Sequence, residues 1–346
     1  MAERSSFESL LVDVCRRVDP ALEAIWNEAE QEYARYGEAV MQPLAAARAL
    51  CLRGGKRLRA GLVAVGHCLG SGALDLDAAL PVCCAVELLQ AYFLIHDDWM
   101  DQDRLRRGGP AVHAALESVF ASQHLAACGA VLAGDYTLAL ATRVLARSPR
   151  SVVLPSLLAR FAQMQLDAVV GQQLDVLGDG SSLDDVYRLK TASYTVFGPL
   201  ALGLELSGRG EAAGNALENF ATPLGVAFQL RDDLIGAFGA TAVTGKPRGS
   251  DLLAGKRTPL VAAALKLGTP DAVQAIRAAL GNPGASLATL DAALIALEAS
   301  GAPEHVDARI HGLVEEARQA LLVAGFDARG RALLDGVLRT LTEREH

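Results

Sequence analysis

The stretch from Leu94 to Asp103, LIHDDWMDQD, decides the fold because it closes a long apolar segment with four carboxylates. Asp97 and Asp101 are four residues apart, so in a helix their side chains lie on one face, one turn from each other. The preceding run, 78–95, is mostly apolar but contains a proline, a glutamate and a glutamine. A buried helix therefore explains this run better than a membrane span.

Two carboxylates on one helical turn suit a hard cation. Magnesium prefers oxygen ligands and takes one or two protein carboxylates together with waters and phosphate oxygens. We therefore expect Asp97 and Asp101 to bind Mg2+, with Asp98 as a supporting residue. A solvated helix end explains a lone pattern of this kind equally well. The apolar helix before it favours the metal, because negative charges at the mouth of a buried helix repel unless a cation neutralises them.

Outward from this stretch, apolar residues recur at helical spacing along nearly all of the 346-residue chain. The sequence is rich in Ala and Leu, and its prolines fall mostly beside glycines or polar turns. No Ser/Gly linker and no repeat of fixed period divides it. We predict an all-α fold, a bundle of ten or more helices that forms a single domain over residues 1–346. Two stretches, 103–110 and 240–256, are too dense in Gly, Arg and Lys for helix.

Amino-acid composition limits the kinds of binding partner and the cellular location that we expect. A formal net charge of −8 argues against a general affinity for nucleic acid or anionic membranes, so an anionic ligand must meet locally clustered cations. The six cysteines lack the spacing of zinc sites or secreted disulfide scaffolds, and we interpret them as reduced core residues. The N-terminal segment carries acidic residues and does not resemble a signal peptide. We expect a cytoplasmic protein without a membrane span.

A second acidic cluster, FQLRDDLIG at 228–236, places Asp232 and Asp233 after another apolar segment. Two acidic helix ends suggest a facing pair. Basic segments with glycine or threonine accompany them: GGKRLRA at 54–60, RLRRGG at 104–109, LKTASYT at 189–195, TGKP at 244–247 and AGKRT at 254–258. Each alone could be a solvated surface, but together they indicate phosphate, because glycine lets the backbone approach an anion that a neighbouring cation pairs with.

The ordered set GGKR, DDxxD, LRRG, KT, FQxxDD and GK…GKRT resembles the polyprenyl synthetase family, the trans-isoprenyl diphosphate synthases, from about residue 50 to 260. The resemblance implies an isoprenoid synthase-type helical bundle around a central cavity, where two diphosphates bind between the aspartate-rich motifs. It also implies a prenyltransferase that condenses an allylic diphosphate with isopentenyl diphosphate, and a homodimer, for which apolar positions near 112–146 could form the interface.

The resemblance assigns roles to single residues. Three Mg2+ ions on the allylic diphosphate would be held by Asp97, Asp101 and Asp232, with Asp98 and Asp233 in support. The same diphosphate would be gripped by Arg106, Lys190, Lys246 and Lys256. The diphosphate of isopentenyl diphosphate would be held by Lys56 and Arg59, three apart on one helical turn, and by Arg107. Thr191 and Gln229 would face the allylic carbon.

Two positions depart from the family pattern. Gly236 stands where the second motif usually has a third aspartate, which removes one carboxylate from that cluster. Gln90 stands seven residues before the first aspartate, where many members have histidine. Its amide can still donate to a phosphate, so we keep Gln90 among the substrate-binding residues.

Product length in the family is set by the helix that leads into the first motif. Here Tyr92 and Phe93 would form the floor of the cavity for the growing chain, which favours a C10 or C15 product, allows C20 and excludes long polyprenyl chains. Aromatic residues that simply fill a core account for either one alone equally well.

Three alternatives stay open at this point. A class I terpene cyclase-like lyase would ionise a prenyl diphosphate without isopentenyl diphosphate, and an aromatic prenyltransferase would use another acceptor. Both would be expected to lose Lys56, Arg59 and Arg107. A noncatalytic subunit of a heteromeric synthase is the third alternative. The glycine at position 236, in place of an aspartate of the second motif, would be consistent with it.

Overall fold

The computed structural model describes residues 6–148, 150–178, 183–239 and 248–343. Within them, helices make up the regular structure apart from one two-stranded hairpin, so the all-α prediction is confirmed. The hairpin pairs β1 (Leu105–Arg106) with β2 (Gly109–Pro110), and it occupies the first of the two stretches predicted to be non-helical. In the second stretch Ser250–Leu253 is helical, while 240–247 lie outside the described residues.

The α-helices follow in chain order: α1 (Ser6–Tyr33), α2 (Glu38–Leu52), α3 (Leu58–Ser71), α4 (Leu76–Met100), α5 (Val112–Leu116), α6 (Gln123–Ala146), α7 (Leu154–Leu177), α8 (Leu183–Val186), α9 (Gly198–Ser207), α10 (Gly210–Phe238), α11 (Ser250–Leu253), α12 (Pro259–Leu267), α13 (Pro270–Ala279), α14 (Leu287–Ala299), α15 (Ala302–Val323) and α16 (Ala328–Thr342). Short 3-10 helices span Ala34–Tyr36 and Ser151–Val153, and a π-helix spans Tyr187–Phe197.

One compact unit comprises Met1–Ala162, Pro199–Ala213 and Ala328–Gly336. Its central helix is α4, which packs against α1, α2, α3 and α6. Asp75 precedes the helix as its N-cap, and its side chain accepts a hydrogen bond from the amide of Ala78. Leu88 and Ile95 of α4 are fully buried, as is Trp26 of α1. The run that the sequence marked as a buried helix is therefore the core of this unit.

Helices α3 and α9 of this unit approach so closely that only glycine fits between them. A Cβ on Gly66 would lie 2.0 Å from the carbonyl oxygen of Leu200, and a Cβ on Gly203 would lie 2.0 Å from that of Val63. Glycine on both partners thus lets the two backbones touch.

The other compact unit comprises Gln163–Gly198, Gly214–Asp327 and Val337–His346. It has a hydrophobic core of its own, in which Leu230 of α10 packs with Ile276, Leu297 and Val306. The prediction of a single domain over 1–346 stays a prediction beside this division into units.

Two helices of the described residues, α4 and α6, are long and apolar enough to cross a membrane by length and composition alone. In α4, 67% of the apolar window is buried inside the protein, and in α6 44%. Length and composition are weak grounds for a span, since the core helix of a globular protein passes the same test.

The cysteines are all free thiols, but they do not share one environment. Cys51, Cys68, Cys83 and Cys84 are buried, and burial raises the pKa of Cys84 to about 12. Cys128 on α6 is exposed, so the interpretation of every cysteine as a core residue is wrong there.

Candidate functional site

The C-terminal end of α4 carries the first acidic cluster. The amide of Asp101 donates to the carbonyl oxygen of Asp97 at 2.8 Å, which places the two residues one helical turn apart as the spacing predicted. Both are partly exposed, whereas Asp98 between them is completely buried. The helix ends at Met100, and Gln102, whose φ is +58°, turns the chain away from the helix axis.

Asp98 has a basic partner. Arg106 donates from Nε to Oδ1 of Asp98 at 2.7 Å, and its Nη2 bonds to the same oxygen. A second carboxylate, Asp103, lies 3.4 Å from Nη2. Burial lowers the pKa of the Arg106 guanidinium, but the hydrogen bond and charge of Asp98 outweigh it and leave that pKa raised. Asp98 therefore lies behind the exposed pair and ties the following hairpin to α4.

Two glycine-rich basic loops, 53–57 and 104–110, are bonded to each other. Arg53 Nη1 donates to two carbonyl oxygens of the hairpin, at 2.8 and 3.0 Å, and Arg107 Nη1 donates to the carbonyl oxygen of Gly54 at 3.0 Å. A Cβ on Gly109 would lie 2.6 Å from the guanidinium carbon of Arg53, so a larger residue there would require the Arg53 side chain to shift. The loops predicted to bind phosphate thus form one connected basic surface.

The positions of Lys56 and Arg59 correct one expectation. Helix α3 begins at Leu58, so Lys56 precedes the helix, and the prediction that the two residues share one helical turn is wrong. The reason is a run of left-handed backbone at Gly54, Gly55 and Arg57, which breaks the helical path that residue propensities alone would favour. Lys56 is exposed and Arg59 is partly buried.

Arg57, which sequence reasoning did not single out, is buried beside this loop. Its Nε donates to Asp19 at 2.8 Å, its Nη1 to Glu87 at 3.2 Å and its Nη2 to the carbonyl oxygen of Cys51 at 3.1 Å. Burial lowers the pKa of the guanidinium, but the charges of Glu87 and Asp19 outweigh it, so the pKa is raised. The sequence signal was Glu87, because an acid inside an apolar helix needs a cationic partner.

Gln90 and the aromatic pair lie on α4 between Glu87 and the first cluster. Gln90 is buried, and its Oε1 has no hydrogen-bond partner among the described residues. The rings of Tyr92 and Phe93 are 4.9 Å apart, and Tyr92 meets His96 edge-on at 4.7 Å. His96 in turn contacts the carbonyl oxygen of Val131 on α6 at 3.1 Å.

The second acidic cluster lies in the other unit, inside α10. Because α10 continues to Phe238, Asp232 and Asp233 are not at a helix end, and that expectation is wrong. Asp233 is buried and accepts hydrogen bonds from the hydroxyl of Tyr187 and, at 2.9 Å, from Nε2 of Gln229. Burial raises its pKa to about 7 against these two bonds, and the nearby charge of Asp251 adds to the rise.

A chain of hydrogen bonds leads on from Asp233. Thr191 Oγ1 donates to Oε1 of Gln229 at 3.0 Å, so Tyr187, Asp233, Gln229 and Thr191 are linked in that order. Tyr187 and Thr191 belong to the π-helix, a rare form that is frequent at functional sites. The two residues expected at the allylic carbon are thus brought together.

Lys190, which directly precedes Thr191 in the π-helix, forms an ion pair that the sequence did not indicate. Its Nζ lies 2.6 Å from Oδ2 of Asp175 on α7. One turn earlier on α7, Gln172 is partly buried, and neither polar atom of its side-chain amide has a partner among the described residues. A Cβ on Gly171 would lie 2.3 Å from the backbone nitrogen of Lys190, which shows how closely α7 and the π-helix approach. Asp175 stands outside every motif, so nothing in the sequence indicated this pair.

The remaining predicted cations lie after α10. Lys256 Nζ is 3.7 Å from Oδ1 of Asp251, and Lys246 lies outside the described residues. The other carboxylate oxygen of Asp251 is 3.5 Å from the position that a Cβ on Gly236 would take. The carboxylate of Asp251, on α11, therefore lies beside Gly236, the position at which the family pattern has a third aspartate.

The donor set fits magnesium that is shared with a diphosphate. Within the part of the chain that the structure describes, no three His, Cys, Asp or Glu side chains converge as a metal cage. One or two carboxylates at each cluster are what Mg2+ takes when phosphate oxygens and waters complete its shell. The two clusters belong to different units, and their facing arrangement stays a prediction.

Comparison with known proteins identifies the family. The polyprenyl synthetase model matches residues 42–297. The geranylfarnesyl diphosphate synthase of Aeropyrum pernix is 32% identical over 304 residues, which cover 84% of this chain and 91% of that protein. The geranylgeranyl diphosphate synthase of Mycobacterium tuberculosis is 35% identical over 286 residues, which cover 78% of each.

The fold agrees with these relatives. A crystal structure of geranylgeranyl pyrophosphate synthase from Corynebacterium glutamicum, complexed with isoprenyl diphosphate and magnesium, is 32% identical and matches with a TM-score of 0.89 over 99% of this chain and 100% of that one. The predicted isoprenoid synthase-type bundle is thereby confirmed. On sequence and fold together, this chain belongs to the polyprenyl synthetase family.

Proposed function

We propose that this chain is a magnesium-dependent prenyltransferase that condenses an allylic diphosphate with isopentenyl diphosphate to a short-chain trans-prenyl diphosphate. The observation that carries the proposal is the connected basic surface of the loops at 53–57 and 104–110, which belongs to the same unit as Asp97 and Asp101. The aspartate pair suits an allylic diphosphate that binds through metal, and the basic surface suits a second diphosphate that binds without metal. Membership of the family supports the same reaction.

The allylic half of the reaction needs a carbon–oxygen bond to break into a cation and diphosphate. Asp97, Asp101 and Asp232 would hold the Mg2+ ions, of which we expect three, and the metal would supply positive charge to the leaving diphosphate. The cations that would hold the same group are Arg106, Lys190, Lys246 and Lys256. Asp98 fixes Arg106, and Asp175 and Asp251 lie beside Lys190 and Lys256.

The allylic cation would be stabilised by oxygen dipoles. Thr191 Oγ1 and Gln229 Oε1 lie 3.0 Å from each other, so both can present negative dipole ends to one carbon. Asp233 holds the Gln229 amide through Nε2, which leaves the carbonyl oxygen on the side of Thr191. The released diphosphate can then accept the proton lost after condensation.

The isopentenyl half would use Lys56, Arg59, Arg107 and Gln90. Arg107 bonds the loop of Lys56 through Gly54, so the two cations are held in one surface. The buried amide of Gln90 has an acceptor oxygen without a partner among the described residues, and its NH2 group can donate to phosphate. These residues are what a lyase or an aromatic prenyltransferase would not need.

Product, assembly and location complete the proposal. Tyr92 and Phe93 favour a C10 or C15 product, with C20 possible, although relatives include synthases named for geranylgeranyl and geranylfarnesyl products. The exposed Leu125 and Leu132 of α6 suit a homodimer interface within 112–146. We place the enzyme in the cytoplasm.

The test is an assay of the purified chain with Mg2+, isopentenyl diphosphate and, separately, dimethylallyl, geranyl or farnesyl diphosphate. Products are identified by mass after phosphatase treatment, and elongation by five-carbon units is expected. Lys56→Ala should raise the KM for isopentenyl diphosphate, whereas Lys266→Ala, at an exposed site on α12, should not. Cyclic hydrocarbons or loss of diphosphate without elongation would replace the proposal with the lyase. Inactivity with every starter would point to the noncatalytic subunit.

A further inference from the structure

Arg57 combines a strained backbone with a buried charge. Its φ of +48° and ψ of +41° are left-handed, which a side chain with a Cβ rarely adopts. Its side chain is only 2% exposed. A residue held in such a conformation persists only where the surrounding structure fixes it, and residues of this kind cluster at ligand-binding sites.

The guanidinium fixes three helices at one point. Asp19 belongs to α1, Glu87 to α4, and the carbonyl of Cys51 to the last turn of α2. The second carboxylate oxygen of Glu87 accepts the amide of Ala60 at 3.2 Å, in the first turn of α3. Arg57 and Glu87 together therefore set where α3 begins relative to the other three helices.

The neighbours of Arg57 in sequence are the two cations that matter. Lys56 precedes it, and Arg59 lies in the first turn of the helix that Glu87 caps. Because the left-handed turn at Arg57 sets the direction of the chain on both sides, it also sets the separation of these two side chains. Arg57 itself is buried and has its donors on protein oxygens, so it is not placed to meet a diphosphate.

We infer that Arg57 is a positioning residue for isopentenyl diphosphate: through Glu87 and Asp19 it holds Lys56 and Arg59 at the spacing that one diphosphate requires. The inference rests on the proposed function. We assign Lys56 and Arg59 to isopentenyl diphosphate alone. A role of Arg57 in positioning them can therefore be distinguished from a role in the overall stability of the protein. Loss of Arg57 should therefore act on one KM and not on the other.

The experiment compares Arg57→Met, Arg57→Met with Glu87→Gln, and Arg48→Met in the full chain. Arg48 is the matched control because it also joins α2 to α1, through Asn27 at 2.9 Å and Glu30 at 3.3 Å, away from the basic loops. The readouts are the KM for each substrate, kcat and the thermal midpoint. The double variant keeps an acceptor for the amide of Ala60 but no unpaired buried charge.

We expect Arg57→Met to raise the KM for isopentenyl diphosphate by about tenfold or more, by analogy with the loss of residues that orient metal ligands. The KM for the allylic substrate and kcat should change little. In the double variant the thermal midpoint should recover while the raised KM remains. Arg48→Met should lower the thermal midpoint without changing either KM.

Three results would overturn the inference. These are an unchanged KM in Arg57→Met, a KM that recovers together with the thermal midpoint in the double variant, or an equal rise in KM in Arg48→Met. If the wild-type chain forms no elongated product, the proposed function fails and this inference with it. That failure is visible in the wild type, so it is distinguishable from a failure of Arg57 alone.

Discussion

Gly236 is the residue at which this chain departs from the aspartate-rich pattern, and its surroundings predict what an aspartate would do. A Cβ there would make an ordinary contact at 3.5 Å with Asp251, so a side chain fits. A carboxylate would lie beside Asp251 in a cluster that already contains Asp232 and Asp233, and its charge would raise the pKa of Asp233 further. Like charges repel when no cation is bound.

We therefore expect Gly236→Asp to lower the free energy of unfolding by about 0.5 kcal/mol or more in a chelator, relative to Gly236→Asn. Added Mg2+ should reduce this difference in the free energy of unfolding between the two variants, because the cation neutralises the carboxylates of the second acidic cluster. Thermal unfolding of both variants with and without Mg2+ measures it. Identical midpoints in the chelator would contradict the prediction.

Tyr92 tests the product-length argument at the scale of one side chain. Its ring packs against Phe93 and His96, so its removal would open a space on that side of α4. Tyr92→Ala should shift the products toward longer chains by one or more five-carbon units, while Tyr92→Phe, which keeps the ring, should leave them unchanged. Mass analysis of the dephosphorylated products measures the chain length that each variant makes. A wild-type product of C25 or longer would itself contradict the role of the aromatic pair.

Sequence spacing predicted contacts between neighbours in the chain but not between distant ones. The register of Asp97 and Asp101 followed from helical geometry, because only the local backbone decides it. The partners of Arg57 were not predictable, since Asp19 and Glu87 lie 38 and 30 residues away and only tertiary packing brings them together. The pairing of Lys190 with Asp175 was missed for the same reason.

The close crossing of α3 and α9 gives a prediction at the scale of helices. Because a Cβ on Gly203 would lie 2.0 Å from a backbone oxygen, Gly203→Ala must push the two helices apart. We expect a loss of about 1–3 kcal/mol in the free energy of unfolding, as for other overpacked cores. Denaturant unfolding measures it.

Gly312→Ala is the matched control, since Gly312 lies inside α15 with nothing within 4 Å of its Cβ position. Alanine there should be neutral or stabilising, because it favours helix over glycine. Equal losses in the two variants would show that helix content, and not the crossing, determines the effect.

Helix boundaries were predicted where proline or glycine marks them and missed where tertiary structure overrides the local signal. The hairpin at 105–110 was predicted as non-helical because of its glycines and arginines. Lys56 was assigned to a helix because nothing local shows that Arg57 takes a left-handed conformation. Helix α10 continues past Asp233 because apolar residues such as Leu234 still pack into the core of its unit.

At the scale of the whole molecule, the proposed chemistry is divided between the two compact units. The first holds the isopentenyl-side cations and the first aspartate pair, and the second holds Lys190, Thr191, Gln229 and Asp232. Each unit has its own buried core. The sequence predicted both sets by their motifs, but composition alone gave no boundary between the units, because no linker separates them.

If both acidic clusters serve one diphosphate, each must be needed for the stabilisation that the ligand confers on the chain. A ligand that binds only the folded state at 100 times its Kd stabilises it by about 2.7 kcal/mol. We expect Mg2+ with inorganic diphosphate to raise the thermal midpoint of the wild type, and neither component alone to do so fully. Asp97→Asn and Asp232→Asn, one in each unit, should each abolish most of the shift.

The controls are Asp13→Asn and Asp291→Asn, which change one exposed carboxylate in each unit and should leave the shift intact. Two independent sites would instead leave either cluster variant with a substantial shift of its own. A full shift in Asp232→Asn would remove the second cluster from the diphosphate site, and with it the argument that Thr191 and Gln229 meet the allylic carbon there. Loss of the shift in both cluster variants would show that each aspartate cluster is needed for the stabilisation by metal-bound diphosphate, in line with the one or two carboxylates that Mg2+ takes from a protein when phosphate oxygens complete its shell.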